Sequence, residues 1–252
     1  MEKLVCGLST QVEPDSAGNL HFGRAEGLYP ETKGSVIWNG SASGVNLNKF
    51  DISGKVGWRA AIRAQYGLPE RAVVFGFVGR ITRDKGINEL FAAARAVFAD
   101  CPDACLLVVG GEELTPEVDM ALYRWAQEEP RVIFCGSTDV VEQYLSAMDV
   151  YILPSYREGF GMVVVEAEAM GLPVIVTDIP GPTDAMIPNE TGLLVKKADV
   201  DSLAAAMKAL AGDPEERRRL GAAGRRFAAE RFEQQRLFQA ILQDRRHLLG
   251  EE

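Results

Sequence analysis

The segment at 150–178 reads VYILPSYREGFGMVVVEAEAMGLPVIVTD. It begins with the apolar run VYILPS at 150–155 and ends with LPVIVTD at 172–178. Continuous apolar runs of this length are typical of strands buried on both faces. The stretch between them, GMVVVEAEAMG at 161–171, is predicted as a helix that Gly171 closes. A strand, a helix and a second strand in this order predict a right-handed crossover and a parallel sheet.

The same alternation of strand and helix extends in both directions from this segment. Further strands are predicted at 72–79, 104–111, 131–136 and 192–199, and helices at 87–100, 115–129 (with Thr115 as N-cap), 139–149 and 232–248. We therefore predict an α/β fold, a doubly wound parallel sheet of the Rossmann type. In such a sheet, ligands bind beyond the carboxyl ends of the strands, so the loops that follow them are the places to look for a site.

Composition and charge exclude several classes of function. The chain has 252 residues, of which 47% are hydrophobic, and a formal net charge of -9. An acidic chain is not expected to bind nucleic acid, and no apolar run is long enough to cross a membrane. With four cysteines and two histidines, the sequence spells out no zinc set and no disulfide framework. We expect no metal, and a reducing, cytoplasmic location.

The loop after the strand at 72–79 is rich in charge. It reads GRITRDKG and places Arg80 and Lys85 just before the predicted helix at 87–100. Two cations beside the amino end of a helix are typical of a phosphate site, because the helix dipole and the free amides act on the same ligand. The alternative is an ordinary charged turn in which Asp84 pairs with one of the two cations.

Two carboxylates flank the glycine-rich stretch EGFGMVVVE. Gly159 and Gly161 place Glu158 in the loop that enters the helix, and Glu166 lies deeper along that helix. A carboxylate accepts hydrogen bonds from two neighbouring hydroxyls, as the ribose-binding acid of dinucleotide sites does. Beside a cationic phosphate loop, two such acids suit a nucleotide-sugar. The alternative is that Glu158 caps the helix and Glu166 is peripheral.

Taken in order, these motifs resemble those of a known family. The matching pieces are NGSASGVNLNKFD (39–51), FVGRITRDKG (77–86), LLVVGG (106–111), the long run from 132 to 178, IPGPTDAM (179–186) and NETGLLV (189–195). They are similar to the C-terminal, donor-binding half of GT-B glycosyltransferases of retaining family 4, of the bacterial capsule and exopolysaccharide type. Glu158 and Glu166 match the E-x7-E signature of that family.

The resemblance implies roles for individual residues. Arg80 and Lys85 match the pair that neutralises the donor diphosphate, Glu158 matches the acid that faces the donor sugar, and these three are the implied catalytic residues. Glu166 matches the acid that binds the ribose hydroxyls. The implied donor-binding set is completed by Gly79, Gly136, Ser137, Thr138, Gly159, Phe160 and Gly161. No metal or other cofactor is implied, and a UDP-sugar is favoured over a GDP-sugar.

The two ends of the chain depart from the family pattern. Residues 1–34 do not match it, and we expect a leader with little regular order, followed by a nucleotide-sugar-binding domain at 35–252. GT-B enzymes bind the acceptor mainly on an N-terminal domain, for which this sequence has no counterpart. The partner expected is therefore an N-terminal-half glycosyltransferase subunit or a second copy of the chain. The last helix would lack its usual docking surface, so we expect Phe232, Leu237, Ile241 and Leu248 to be exposed or to pair with another chain.

The function expected is transfer of a sugar from a nucleotide-sugar to a saccharide or lipid-linked acceptor in surface polysaccharide synthesis. A lipid-linked acceptor would bring peripheral contact with a membrane. The alternative is a truncated module that binds nucleotide-sugar without transferring it. A nicotinamide dehydrogenase is disfavoured because the first loop is GRITRDKG, not G-x-G-x-x-G. A sugar-nucleotide epimerase of the same plan is disfavoured by the EGFG series.

Overall fold

A computed structural model describes residues 1–251. Its centre is one sheet of six parallel strands in the order β3-β2-β1-β4-β5-β6. The strands are β1 (Val73–Val78), β2 (Ala104–Val109), β3 (Val132–Gly136), β4 (Val150–Leu153), β5 (Val174–Thr177) and β6 (Gly192–Val195). The strand order reverses between β1 and β4, which are paired in parallel. The predicted doubly wound parallel sheet is confirmed.

Ten α-helices accompany the sheet within the described residues. They are α1 (Glu2–Leu8), α2 (Ala17–Ala25), α3 (Lys55–Gln65), α4 (Ile87–Asp100), α5 (Met120–Glu128), α6 (Val141–Ala147), α7 (Met162–Ala169), α8 (Val200–Gly212), α9 (Pro214–Arg231) and α10 (Gln234–Leu249). Helices α3, α6 and α7 cover one face of the sheet, and α4, α5 and α8 cover the other. Helix α9 packs against both α7 and α8.

Each face of the sheet has its own apolar core, and the alternation of side chains along the strands decides which residue joins which core. In β1, Val74 and Val78 belong to the core under α3, α6 and α7. Phe75 and Phe77, between them, belong to the core under α4, α5 and α8. Because both faces are covered, all of these strand residues are buried. This explains why the strands read as continuous apolar runs.

Helix α5 begins five residues later than predicted. The carboxylate of Asp119 accepts hydrogen bonds from the amides of Ala121 and Leu122, at 2.8 and 3.1 Å, and so caps the helix. The stretch that starts at Thr115 forms a turn instead, in which the Val118 amide donates to the Thr115 carbonyl. The prediction of Thr115 as the N-cap is therefore wrong, because Asp119 satisfies two free amides and begins the helix.

Residues 1–34 contain α1, α2 and a short 3-10 turn at Glu31–Lys33. Helix α2 begins at the Ser16 cap and packs beside the loops that follow β4 and β5. The amide of Gly18 donates to the carboxylate of Asp184 at 2.9 Å. The division of the chain at residue 34 stays a prediction, but this first part of the chain contacts the rest directly.

The C-terminal region differs from the prediction at two of the four apolar residues. Phe232 and Leu237 are buried, with 2% and 1% of their surface exposed. The Phe232 ring packs edge-on against Phe160 and Phe227, with centroids 5.2 and 5.3 Å away. The prediction that they would be exposed is wrong, because the segment around Val45 receives the C-terminal region: the Val45 amide donates to the Phe232 carbonyl at 2.7 Å.

The outer part of the same helix agrees better with the prediction. Ile241 is half-buried, and Leu248 is 50% exposed. The helix begins at Gln234, capped by the Glu233 carboxylate, rather than at residue 232. No helix among residues 1–251 combines the length and the apolar character that a membrane crossing requires.

Candidate functional site

The candidate site lies where the strand order reverses. The loop at 79–86 leaves the carboxyl end of β1, and the loop at 154–161 leaves the carboxyl end of β4. Since β1 and β4 are neighbours, the two loops face each other across a crevice, which is the place where open α/β sheets bind ligands.

An ion pair joins the two loops across this crevice. The Lys85 Nζ lies 2.6 Å from the Glu158 Oε1, and the two side chains are only 20% and 13% exposed. The Ser155 hydroxyl donates to the same oxygen at 2.7 Å. Two of the three residues expected to be catalytic are therefore in direct contact, in surroundings that strengthen electrostatic interactions relative to open water.

A glycine allows the first loop to approach the second. Gly86 has a φ of 73°, and it ends the 3-10 turn Arg83–Lys85 and begins α4. A Cβ at this position would lie 2.0 Å from the Pro154 carbonyl oxygen. The Tyr156 amide also donates to the Asp84 carbonyl at 2.8 Å. The backbone of one loop is thereby fixed against the other, which positions Lys85.

Arg80 lies on the same loop, but its guanidinium is directed elsewhere. It pairs with Glu113 at 2.6 Å, and the Arg80 side chain is 59% exposed. Asp84 pairs with neither Arg80 nor Lys85 directly, and instead accepts a hydrogen bond from the Thr82 hydroxyl at 2.5 Å. That hydrogen bond lowers the pKa of Asp84, and the charges of Lys85 and Arg80 lower it further.

The conformation of the loop after β4 depends on its glycines and on one buried aromatic side chain. Gly161 has a φ of 86° and begins α7. The Phe160 ring is 3% exposed and faces Phe232, away from the crevice. Gly159 is exposed. Gly181, in a neighbouring loop, lies so close that a Cβ on Gly181 would be 2.8 Å from the Gly159 carbonyl oxygen. Phe160 thus anchors the loop.

A residue outside the predicted set also holds this loop. The side-chain amide of Asn19 donates to the carbonyls of Glu158, at 3.3 Å, and of Gly159. Asn19 belongs to α2, far from Glu158 in the sequence, and no local pattern signals this contact. Together with the hydrogen bond between Gly18 and Asp184, it places the amino end of α2 at the rim of the crevice.

Glu166 lies on α7 and is partly buried. Burial raises the pKa of its carboxyl to about 7, and the nearby Glu142 adds to the rise while Lys49 opposes it. Glu142 is itself buried, and its Oε2 lies 3.8 Å from the Lys49 Nζ. Lys49 and Glu142 were not among the predicted residues, because an isolated acid on a predicted helix carries no signal that it will face the site.

The third predicted loop follows β3, at the same edge of the sheet. Gly136 and Ser137 are exposed, and the Thr138 hydroxyl accepts a hydrogen bond from the Val140 amide at 3.1 Å. The Gly136 carbonyl accepts from the Gly110 amide at 2.8 Å. Gly110 in turn touches Gly79, since a Cβ on Gly110 would lie 1.8 Å from the Gly79 oxygen. The ends of β1, β2 and β3 are therefore packed side by side.

Comparison with known proteins places this arrangement in a family. The profile of the family described as glycosyl transferases group 1 matches residues 59–227. The chain belongs to this family. This match confirms the resemblance to GT-B glycosyltransferases that the sequence motifs indicated.

Individual relatives agree with this assignment. The chain is 29% identical over 242 residues to the capsular polysaccharide biosynthesis glycosyltransferase CapM of Staphylococcus aureus, a match that covers 96% of this chain and 62% of CapM. The sucrose-phosphate synthase of Thermosynechococcus elongatus has a TM-score of 0.83 and 32% identity, and the match covers 100% of this chain and 61% of the synthase.

A third relative was solved with ligands. HepE of Anabaena, in complex with UDP and glucose, has a TM-score of 0.82 and 23% identity, and the match covers 96% of this chain and 66% of HepE. At this identity the likeness shows the fold alone. The chain spans less than two thirds of the length of CapM and of the synthase.

Proposed function

We propose that this chain is the donor-binding part of a retaining glycosyltransferase, which moves a sugar from a nucleotide-sugar to a saccharide or lipid-linked acceptor in surface polysaccharide synthesis. The observation that carries the proposal is the ion pair between Lys85 and Glu158 across the crevice. It brings a cation suited to a diphosphate beside an acid suited to sugar hydroxyls, at the place where this class of fold binds its ligands.

The relatives support the choice of donor and of pathway. CapM is described as a glycosyltransferase of capsular polysaccharide biosynthesis, and HepE was solved with UDP and glucose. The UDP bound to HepE is the motive for proposing a UDP-sugar rather than a GDP-sugar as the donor here. In this proposal Glu166 accepts the ribose hydroxyls, and the loop at 136–138 lines the base.

The chemistry needs charge stabilisation more than it needs a base. The bond between the sugar and the diphosphate breaks, a bond from the acceptor hydroxyl to the same carbon forms on the departing side, and a diphosphate oxygen takes the hydroxyl proton. Negative charge grows on the diphosphate as it leaves. The Lys85 ammonium, the amides of the loop at 159–161 and Arg80, once it leaves Glu113, would stabilise that charge. Removing one such donor typically costs about 3 kcal/mol of barrier.

The acceptor half is proposed to come from outside the part of the chain that carries this site. The chain spans 62% of the length of CapM. A partner subunit or a second copy of the chain is the proposed source of the acceptor half. We place the reaction in the cytoplasm, where the nucleotide-sugar is the substrate and no further cofactor takes part. A lipid-linked acceptor would bring the assembled enzyme to the membrane surface.

Calorimetry with UDP-glucose and GDP-mannose tests the donor half of this proposal. We expect Lys85→Met to weaken UDP-glucose binding at least tenfold. Lys208→Met, which removes an exposed lysine paired with Asp100 on the far side of α4, is the matched control and is expected to leave binding unchanged. Equal affinities in both variants and the wild type would contradict the assignment of Lys85.

A transfer assay separates the enzyme from the alternative, a module that only binds. Purified chain, a candidate N-terminal partner, UDP-glucose and a lipid-linked acceptor are mixed, and sugar transfer is followed by mass spectrometry. Transfer that Glu158→Gln abolishes supports the enzyme. Binding of UDP-glucose without transfer under any of these pairings supports the module, for which the partial span of CapM is the motive.

A further inference from the structure

A second polar cavity lies at the edge of the sheet opposite the crevice. It has a volume of about 290 Å³, and Asp149 and Pro173, which precede β4 and β5, are among the residues that line it. Lys55 and Arg59 from α3 and Arg217 and Arg218 from α9 line it as well, together with apolar residues. Because it lies at the amino ends of the strands, it is separated from the proposed donor site by the length of the sheet.

The lining of this cavity has an excess of positive charge, although the chain as a whole carries a net charge of -9. Four cationic side chains surround it, and within the described residues the one acidic side chain in its wall is Asp149. That carboxylate is already shared by two guanidiniums: Arg59 lies 2.7 Å from one oxygen and Arg63 lies 2.8 Å from the other. It therefore has little charge left to neutralise Lys55 and Arg217.

Neutral groups hold these two cations. The Lys55 Nζ donates to the Met170 carbonyl at 2.5 Å, at the carboxyl end of α7. The Arg217 Nη1 donates to the carbonyls of Leu210 and of Ala211, the latter at 2.9 Å. Such contacts fix the positions of the cations without balancing their charge. Arg218 pairs with Glu215 on its own exposed helical turn, and Arg59 with Asp149. Among residues 1–251, Lys55 and Arg217 are therefore the lining cations without a carboxylate partner.

The effect of this positive charge is clearest at Lys55. Its burial lowers the pKa of the ammonium to about 8, the neighbouring Arg59 and Arg225 lower it further, and Asp149 partly opposes them. A buried ammonium beside guanidiniums is stabilised when an anion joins the cluster, because the anion interacts favourably with every cation at once.

We propose that this cavity binds a phosphate group, either as inorganic phosphate or as the phosphomonoester of a small metabolite. A phosphate presents several acceptor oxygens, so it can receive hydrogen bonds from α3 and α9 at the same time, and lysine and arginine are the side chains that bind it best. The volume lies just below the range of about 300–1,000 Å³ that small-molecule sites occupy, which fits one compact anion rather than a nucleotide-sugar.

Binding should depend on pH in a way that follows from the groups facing the cavity. A phosphomonoester acquires its second charge above a pKa of about 6, and Lys55 loses its charge above about 8. The other charged groups near Lys55 are Arg59, Arg217, Arg218 and Arg225, together with Asp149, which is paired with two guanidiniums. Affinity is therefore greatest between these two values and falls as the pH rises through 8.

The test uses inorganic phosphate and glucose 1-phosphate as probes, at constant ionic strength and pH 7.2. We expect either probe to raise the thermal unfolding midpoint, and calorimetry to show that Lys55→Met, which keeps the packing of the aliphatic stem, weakens binding at least tenfold. Lys208→Met is the matched control. Lys85→Met shows whether the probes bind at the donor crevice instead. If only Lys85→Met loses binding of the probes, the proposal is overturned. Equal binding of the probes by Lys55→Met and the wild type would overturn it as well.

Two further experiments test the proposal independently of the folding of Lys55→Met and of the source of the phosphate. Should Lys55→Met fail to fold, the wild type is acetylated at pH 8 with and without phosphate, and protection of Lys55 with no change at Lys208 is expected; equal labelling of Lys55 would contradict the site. Vesicles containing phosphatidylglycerol are tested by co-sedimentation. Suppose that the chain binds these vesicles through Lys55 but binds neither soluble probe. The ligand would then be a lipid headgroup rather than a small molecule, and the proposal would be overturned.

Discussion

At the scale of single residues, Glu166 links donor binding to pH. Its pKa of about 7 arises mainly from burial, and Glu142 contributes. In the proposed complex the ionised carboxylate accepts the ribose hydroxyls, and the protonated form accepts them less well. We therefore expect the dissociation constant of UDP-glucose to increase as the pH falls from 8 to 6, by up to about tenfold for one pH unit below the pKa. Calorimetry over this pH range measures it.

Two variants check the origin of that dependence. Glu166→Gln is expected to bind UDP-glucose more weakly than the wild type at pH 8 and to show no change between pH 6 and 8. Glu142→Gln removes one cause of the raised pKa, so its midpoint should move to lower pH while the shape of the curve is kept. A wild-type curve that is flat across the whole range would disprove the role given to Glu166.

Gly86 provides a second prediction at this scale. Alanine at a left-handed φ costs about 1–2 kcal/mol, and at Gly86 the new methyl group would also collide with the Pro154 carbonyl. Gly67 has a similar φ of 63°, with nothing within 4 Å of an added Cβ, and is the matched control. Urea unfolding should show that Gly86→Ala destabilises the chain by at least 1 kcal/mol more than Gly67→Ala. Equal losses would mean that the close approach of the two loops does not matter.

Local sequence patterns predicted part of the site. The spacing of GRITRDKG and EGFG was enough to place Lys85 and Glu158 on loops that leave the carboxyl ends of two strands, and the structure brings these two side chains into contact. The direction of Arg80 toward Glu113 depends on a loop that follows another strand. The contacts made by Asn19 depend on how α2 packs. Neither is encoded in the residues adjacent in sequence.

At the scale of elements, the interface between α7 and α9 contains a buried acid. Glu168 is fully buried, and neither carboxylate oxygen has a hydrogen-bond partner among residues 1–251. Gly224 of α9 makes room for it, since a Cβ there would lie 3.1 Å from the Glu168 side chain. Burial raises the pKa of Glu168 well above its usual range. The nearby Thr191 hydroxyl opposes this rise in the pKa. The hydrogen-bond partners of that hydroxyl are, however, the backbone amide and carbonyl of Ile187.

The sign of the resulting pH dependence follows from the raised pKa. The folded state keeps the Glu168 proton at pH values where the unfolded chain has lost it, so stability decreases as the pH rises above the unfolded pKa of about 4.3. Glu168→Gln removes the free-energy cost of protonating this carboxyl on folding. The substitution should therefore raise the free energy of unfolding at pH 8 by about 1–3 kcal/mol. Urea unfolding at pH 5 and pH 8 measures it. Glu230→Gln, at an exposed position of α9, is expected to change neither value.

The elements themselves were predicted with unequal success, for physical reasons. Strands buried on both faces give continuous apolar runs that cannot be mistaken for exposed segments, and helix α4 has the predicted bounds at both ends. The start of α5 was missed because Thr115 and Asp119 are both acceptable caps, and the choice depends on which of them satisfies the free amides. Asp119 is further fixed by Asn88 of α4, whose side-chain oxygen accepts the Asp119 amide proton at 2.9 Å.

At the scale of the whole molecule, Phe232 connects the C-terminal region to the site. Its ring touches Phe160 of the glycine-rich loop, and Phe→Ala at a buried position typically costs about 3–5 kcal/mol. We expect Phe232→Ala to lower the free energy of unfolding by that amount and to weaken UDP-glucose binding. Phe238→Ala, where the ring is 46% exposed, should change both by much less. Urea unfolding and calorimetry on the same samples test this, and unchanged donor affinity in a folded Phe232→Ala variant would contradict the connection.

The long-range arrangement was the part that sequence reasoning handled least well. The doubly wound parallel sheet followed from the repeated βαβ units, because crossovers of one hand permit few alternatives. The burial of Phe232 and Leu237 was not foreseen, since it requires that the Val45 segment return beside the C-terminal region. Contacts of this kind join residues nearly two hundred positions apart, such as Asn39 and Arg231, and no periodicity in the sequence reports them.

The closed pair of Lys85 and Glu158 has a consequence for selectivity. Since each charge already satisfies the other, the crevice attracts a simple anion only weakly, because the anion must displace a carboxylate and leave it without a partner. A ligand that offers a diphosphate to the lysine and hydroxyl groups to the glutamate exchanges both partners at once. Discrimination between a complete nucleotide-sugar and its nucleoside diphosphate fragment would then come from the sugar hydroxyls that Glu158 needs once Lys85 has turned away.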